Sequence, residues 1–369
     1  MKVPFVDLYS IHKPLEKVFI SEFKRIIRTN SFVAGKETEL FEQDFASYCG
    51  AKHALLVNNG TSALFVALSA LHLPRGGEVI IPVNTFIATA EAAVLCGLKP
   101  IFVDINKETF LMDLEDTAKK ISKKTVAIIP VHLYGQRVNI MEIKKILKKK
   151  KSSSAIVEDA CQAHGAIVGG KSKVEGDVAC YSFYPGKNLG ALGEAGAVVT
   201  DNTILDQYMR LYRGHGSRIK YFHDIVGMNL RASEMQAVFL RKKLPLLSYQ
   251  NKARLKAVQW YAKGLRGIKE VKFQVPKLDG SHVYHLFVVH VKNRDELIQY
   301  LHDRGIDTGI HYPVPLHKTV AFEKLYGKNN QFFSAELTVS EILSLPMFAT
   351  ITQSQVEYVC KNIRIFYKK

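Results

Sequence analysis

Between residues 54 and 200, short apolar runs alternate with amphipathic stretches of helical length. The runs are Ala54–Val57, Glu78–Pro82, Pro100–Asp104, Val126–Pro130, Ala155–Asp159, Val178–Phe183 and Ala195–Thr200. Their apolarity is continuous rather than alternating, which marks strands covered on both faces. Stretches of helical period at 61–72, 85–96, 113–122 and 139–149 separate most of them. The pattern therefore predicts a largely parallel α/β sheet with helices on both sides. No helix-length segment separates the last two runs, so an antiparallel member is expected there.

Beyond Thr200 the period becomes helical over 202–212 and 231–265, the second stretch interrupted near Pro245. A second β-rich unit is predicted at His282–Val291 and Gly305–His311, with helices near 294–304, 334–343 and 353–367. This organisation predicts a large domain over 1–250, which includes an N-terminal arm at 1–35 packed across it. A smaller C-terminal α/β domain follows over 251–369. No internal repeat or low-complexity tract interrupts it.

Composition adds one unusual number. The 369 residues are 47% apolar, enough for a sizeable core, but 51 Lys plus Arg against 34 Asp plus Glu give a formal charge of +17. Such a surplus suits an anionic partner. Six of those charges fall in Lys144-Lys145-Ile146-Leu147-Lys148-Lys149-Lys150-Lys151, at the end of a predicted helix, where cations complement the helix C-terminus and stay solvated. The remainder is dispersed, without the aromatic-interleaved groove or finger spacing of a nucleic-acid binder. No apolar run approaches the ~18–20 residues of a membrane span, and Met1-Lys2-Val3-Pro4-Phe5-Val6-Asp7 has no signal-peptide apolar region. A cytoplasmic protein without membrane or nucleic-acid partners is expected. The five cysteines, scattered and without a CxxC pair, speak against a disulfide framework or zinc knuckle.

Three segments carry chemistry. Val57-Asn58-Asn59-Gly60-Thr61-Ser62-Ala63-Leu64 turns from a strand into an apolar helix, placing free N–H groups, a positive helix end and hydroxyls where an anion could sit; a simple helix cap reads the same way. Ile156-Val157-Glu158-Asp159-Ala160-Cys161-Gln162-Ala163-His164-Gly165 ends a strand in two carboxylates, at the edge where open α/β sheets bind ligands, and one of them is expected to face the site. An ion pair at the strand end is the alternative; a metal on Asp159 and His164 lacks a third ligand at recognisable spacing. Ser182-Phe183-Tyr184-Pro185-Gly186-Lys187-Asn188-Leu189-Gly190 turns through Pro and Gly around a single lysine. Beside a partly dry crevice such an amine can lose its proton and act as a Schiff-base nucleophile; a solvated loop lysine is the other reading.

In this order, anion cradle, strand-end acid and turn lysine, the sequence resembles the DegT/DnrJ/EryC1/StrS sugar aminotransferases, of pyridoxal-phosphate (PLP) fold type I, over nearly the whole chain. The resemblance implies that Lys187 forms the Schiff base with PLP and later moves the proton, and that Asp159 pairs with the pyridine nitrogen. It places Gln162 near the ring hydroxyl, Phe86 over the ring, and Gly60, Thr61, Ser62 and Ser182 around the phosphate. Asn229, in Gly227-Met228-Asn229-Leu230-Arg231, matches an asparagine supplied by the neighbouring subunit, which implies a homodimer with shared sites. The run Ala232-Ser233-Glu234-Met235-Gln236 departs slightly from the family's Leu-Asp-Glu-Ile-Gln.

Dehydratase relatives carry histidine at the lysine position, so Lys187 implies transamination, with L-glutamate as donor. The loop around Lys187 and the run Lys220-Tyr221-Phe222-His223 look most like members acting on dTDP-linked 3-keto-6-deoxyhexoses. Members acting on 4-keto or UDP-linked sugars are the alternative, as is a non-catalytic PLP-fold binding protein. Tyr184, His215, Tyr221, His223, His311 and Tyr312 are the candidates for touching the sugar nucleotide, packing being the other role open to each.

Overall fold

The computed structural model describes residues 1–167, 174–327 and 331–368. Helices α1 (Leu8–His12), α2 (Glu16–Thr29) and α3 (Lys36–Tyr48) come first. There follow β1 (His53–Val57), α4 (Gly60–Ala70), β2 (Glu78–Pro82), α5 (Ala88–Leu95), β3 (Lys99–Val103), α6 (Leu114–Lys120), β4 (Thr125–Ile128), α7 (Ile140–Lys150), β5 (Ala155–Asp159), β6 (Val178–Ser182) and β7 (Gly196–Thr200). These seven strands form one sheet in the order β1-β7-β6-β5-β4-β2-β3. Strand β7 runs antiparallel to both its neighbours, β1 and β6, and every other pair is parallel.

Alternate residues of each strand enter different cores, which is why the runs are apolar throughout. Leu55 and Val57 of β1 pack with Ala63, Leu64 and Ala67 of α4, whereas Ala54 and Leu56 pack with Phe41 and Phe45 of α3. Toward the other end of the sheet, Ile80, Ile128 and Ile156 meet Ile140, Ile143 and Leu147 of α7. The lysine run closes α7 as its charge requires: Lys148, Lys149 and Lys150 form the last turn, and Lys151 caps it in the left-handed conformation.

The chain continues through α8 (Thr203–Arg213), the hairpin β8 (Ser217–Ile219) and β9 (Phe222–His223), α9 (Glu234–Lys243) and α10 (Leu247–Leu265). A 3₁₀ turn at Leu244–Leu246, containing Pro245, separates the last two. Then come β10 (Val271–Lys272), β11 (Phe287–Val291), α11 (Arg294–His302), α12 (Val320–Tyr326), α13 (Phe333–Glu341), β12 (Ile342–Leu345) and α14 (Gln353–Tyr367). Strands β10, β11 and β12 form a second sheet, whose core holds Tyr261 and Leu265 of α10 and Val356, Val359 and Ile363 of α14. Among the described residues no helix is long and apolar enough to cross a membrane.

Four expectations are corrected. Gly305–His311 is not a strand; it makes only isolated bridges, Ile306 to Val3 and Gly309 to Ser344. The missing strand is β12, which the helical reading of 334–343 overran by continuing across its first two residues. The strand expected at His282–Val291 begins only at Phe287, because Tyr284 has φ 47° and Val283 N–H is given to Gly135 O at 2.9 Å. The N-terminal arm also divides: α2 packs on α9 through Phe19, Ile26, Val238 and Phe239, but Val3 belongs to the core of the second sheet.

Candidate active site

The carboxyl ends of β1, β2, β5 and β6 and the start of the reversed β7 share one edge of the large sheet, and a cavity of about 660 Å³ opens there. That volume lies within the roughly 300–1,000 Å³ of small-molecule sites. Gly60, Thr61, Phe86, Asp159, Gln162, Ser182, Tyr184, Lys187 and Tyr312 all line it. Ser62 does not; it is buried beneath, its N–H given to the Asn59 side chain that caps α4 at 2.8 Å.

The two carboxylates that end β5 separate. Glu158 accepts from Arg137 at 3.1 Å, lies 2.7 Å from His132 Nε2 and takes the N–H groups of Glu175 and Gly176. Burial alone would raise its pKa, but the His132 contact and the Arg137 charge bring it below the ordinary value. Asp159, one residue on and on the opposite side of the strand, faces the cavity. Thr89 of α5 donates to its Oδ2 at 2.7 Å, and the Cys161 N–H donates to its Oδ1 at 3.2 Å. Glu158 is thus the carboxylate engaged in an ion pair at the strand end, and Asp159 the one that lines the cavity.

Lys187 borders the cavity and is otherwise packed about by protein. Burial lowers its pKa below that of a free lysine, while Cys161 and Asp159 pull it the other way. Its loop, residues 183–195, is held on several sides. Gln236 grips Leu192 through both backbone groups, at 2.9 and 3.2 Å, and Lys243 donates to Gly190 O. Gln162 accepts the Tyr134 N–H at 2.7 Å and donates to Tyr312 Oη at 3.1 Å, so its amide stays beside the cavity. The Phe86 ring, half exposed at the rim, sits 5.7 Å from the Tyr312 ring.

An anion cradle lies at the other end. Gly60 and Thr61, which open α4 and whose N–H groups have no intrahelical partner, line the cavity at the positive end of the helix dipole. Gly60 allows the approach: a Cβ there would stand 2.7 Å from Ser182 Cβ and 3.2 Å from Cys161 Sγ. Helix end, hydroxyls, fixed carboxylate and amine thus fit the phosphate, ring nitrogen and aldehyde of PLP.

The remaining candidates are elsewhere. His311 is just behind the cavity wall, its Nδ1 2.9 Å from Ser344 Oγ and its carbonyl bonded by Tyr134 Oη. His215, Tyr221 and His223 line a separate basic cavity of about 830 Å³ with Arg210, Arg213, Arg218, Lys220 and Arg231. Asn229 is exposed and accepts from Arg231 at 3.0 Å. Thr89, Cys161 and Glu194 at the site escaped the sequence reading. Only the tertiary fold brings Thr89 to Asp159. Glu234, read only as part of a motif, is fully buried and takes the N–H groups of Gly35 and Glu37, capping α3. Among the described residues no cluster of three or more His, Cys, Asp or Glu could hold a metal ion.

The DegT/DnrJ/EryC1/StrS aminotransferase family model matches residues 14–364. The chain is 38% identical to the dTDP-3-amino-3,4,6-trideoxy-alpha-D-glucose transaminase of Streptomyces venezuelae, over 98% of this chain and 96% of that protein. It is 37% identical to the UDP-N-acetyl-3-dehydro-alpha-D-glucosamine 3-aminotransferase of Acidithiobacillus ferrooxidans, over 98% and 97%. The crystal structure of S. venezuelae DesV in complex with a ketimine intermediate superposes with a TM-score of 0.94 at 37% identity, over 100% of this chain and 99% of that one. The chain belongs to the DegT/DnrJ/EryC1/StrS aminotransferase family.

Proposed function

We propose that the protein is a PLP-dependent aminotransferase that moves the amino group of L-glutamate to the 3-keto group of a dTDP-linked 3-keto-6-deoxyhexose in the cytoplasm. The observation that carries this reading is the meeting of Lys187, the only amine among the described cavity-lining residues, with the fixed carboxylate of Asp159 in one cavity closed by the α4 N-terminus. Both relatives' names place the amino group at carbon 3.

When bound, PLP supplies an aldehyde that exchanges amino groups and a ring that draws electrons from the reacting carbon. Gly60, Thr61 and Ser182 would hold its phosphate, with Phe86 and Gln162 beside its ring. Asp159, kept oriented by Thr89, holds the ring nitrogen protonated. Lys187 Nζ, whose proton burial makes easier to lose, takes one from the α-carbon of L-glutamate and in the second half delivers one to carbon 3 of the sugar. Tyr184 and Tyr312 are placed to border the sugar.

The exposed Ile219, Tyr221, Phe222 and Val226 on and beside the β8–β9 hairpin support association of two copies. In such a homodimer Asn229 and the hairpin, with His215, Tyr221 and His223, complete the partner's site. The basic residues around them suit a nucleotide diphosphate. A UDP-linked 3-keto sugar is the second reading, favoured by the A. ferrooxidans relative.

The test is to incubate the PLP-loaded enzyme and L-glutamate with dTDP-3-keto, dTDP-4-keto and UDP-linked 3-keto sugars and to locate the new C–N bond by NMR. Amination of the dTDP sugar at carbon 3, lost in Lys187→Ala, is expected. Amination at carbon 4, preference for the UDP sugar, or turnover retained in Lys187→Ala would overturn this assignment.

A further inference from the structure

We propose that Asn251, on the second turn of α10 and outside the cavity, is a positioning residue whose carboxamide ties the loop carrying Lys187 to the loop carrying Asp159 and Gln162. The proposal rests on the roles given above to Lys187 and Asp159.

Asn251 Oδ1 accepts a hydrogen bond from Asn188 Nδ2 at 2.9 Å, one residue from Lys187. Asn251 Nδ2 donates to His164 O at 2.8 Å, two residues beyond Gln162. The other bonds to these loops hold each one separately: Gln236 and Lys243 clamp the lysine loop, and Thr89 and Tyr134 secure the Asp159–Gln162 segment. Asn251 spans the two. Asn188 also donates to Val283 O at 3.0 Å, and Val283 bonds Gly135 beside Tyr134, so the same node reaches the backbone that presents Gln162.

Two features suit an asparagine at the node. A side chain that accepts from one loop and donates to the other must carry both functions, which a carboxamide does and a carboxylate or alkyl group does not. Space around it is reserved by Gly165, which has φ +80° and where a Cβ would lie 2.9 Å from Asn251 Nδ2 and 2.4 Å from Tyr48 Oη. Asn188 is itself only 5% exposed, so loss of its partner leaves a donor without solvent to turn to. Misplacing a reacting group by about 1 Å can cost on the order of 100-fold in rate without weakening substrate binding.

The test compares Asn251→Ala, Asn251→Asp, Asn188→Ala and the Asn188→Ala/Asn251→Ala pair with wild type and Lys187→Ala. Each is measured for melting temperature, for the rate at which the apoprotein attaches added PLP, read as growth of the visible absorption band, and for kcat and KM. Asn251→Ala is expected to slow attachment about tenfold and lower kcat about 10–100-fold, with both KM values within about threefold of wild type. The double variant should be no more than about twofold worse than the poorer single one, since both remove the same link. Attachment and kcat within twofold of wild type, or losses that multiply in the double variant, would overturn the proposal. If Asn251→Ala does not fold, Asn251→Asp decides: it keeps the acceptor and sets an oxygen against His164 O, so slow attachment at a near-normal melting temperature supports the link and a wild-type rate refutes it. Turnover in Lys187→Ala would instead refute the site assignment itself.

Discussion

Lys243 is 3% exposed, yet among the described residues its ammonium bonds only the carbonyl of Gly190 and the ring of His12, and no carboxylate. His12 can accept that bond because burial, with the nearby ammonium, brings its pKa down to about 4 and keeps the ring neutral. Burial brings Lys243 itself down from 10.5 to about 8. Between those two values the unfolded chain binds the proton more readily than the folded one, so this residue makes stability rise with pH across about 8 to 10.5 and fall as pH drops back through the window. Lys243→Met removes that dependence. In urea unfolding, the stability of wild type relative to Lys243→Met should therefore grow by up to about 3 kcal/mol over the same range, and parallel pH curves would refute the burial of this charge. The site's chemistry was legible at this scale wherever a residue type is unusual for its setting: an acid ending an apolar strand, a lysine in a glycine turn. Thr89, Asn251 and Lys243 were not, because threonine, asparagine and lysine are ordinary on helices and their meaning lies in contacts with residues far along the chain.

Helix α4 and strand β6 meet almost without clearance at Gly60 and Ser182. Gly60→Ala must open that junction, and overpacked contacts of this kind cost roughly 1–3 kcal/mol. Because the displaced atoms are those proposed to hold the phosphate, we expect PLP affinity to fall at least about tenfold, and titration of the apoprotein with PLP should show it. An affinity unchanged in a folded Gly60→Ala protein would remove α4 from the cofactor site. The strands of the large sheet could be read from sequence because helices cover both faces and every position is apolar. The same logic failed at Ile342-Leu343-Ser344-Leu345, all buried, which continues the period of α13 so smoothly that a four-residue strand and one more helical turn look alike. It failed in the opposite sense at Gly305–His311, whose β-like residues lie beside β12 and the N-terminus but join them only through single bridges.

At the scale of the whole molecule, the cavity and the hairpin candidates are separate within one chain, and the proposed homodimer with shared sites would reconcile them. Mixing Lys187→Ala and Asn229→Ala subunits tests it. Each homodimer should be impaired, whereas in a mixed dimer one site combines an intact Lys187 with an intact Asn229, restoring about one quarter of wild-type activity at random assortment. No recovery would place Asn229 in its own subunit's site or outside any site. The +17 charge is less informative than its size suggests, since six lysines lie on α7 or cap it and the basic cavity beside the hairpin includes several more. The reversed direction of β7 reaches further. Ser182 ends β6 and Gly196 begins β7 as paired neighbours, so the segment bearing Lys187 leaves the sheet and re-enters it through adjacent rungs of one ladder. It is a cassette closed at its base, and a different reactive residue can be installed at position 187 without re-threading any strand of the scaffold.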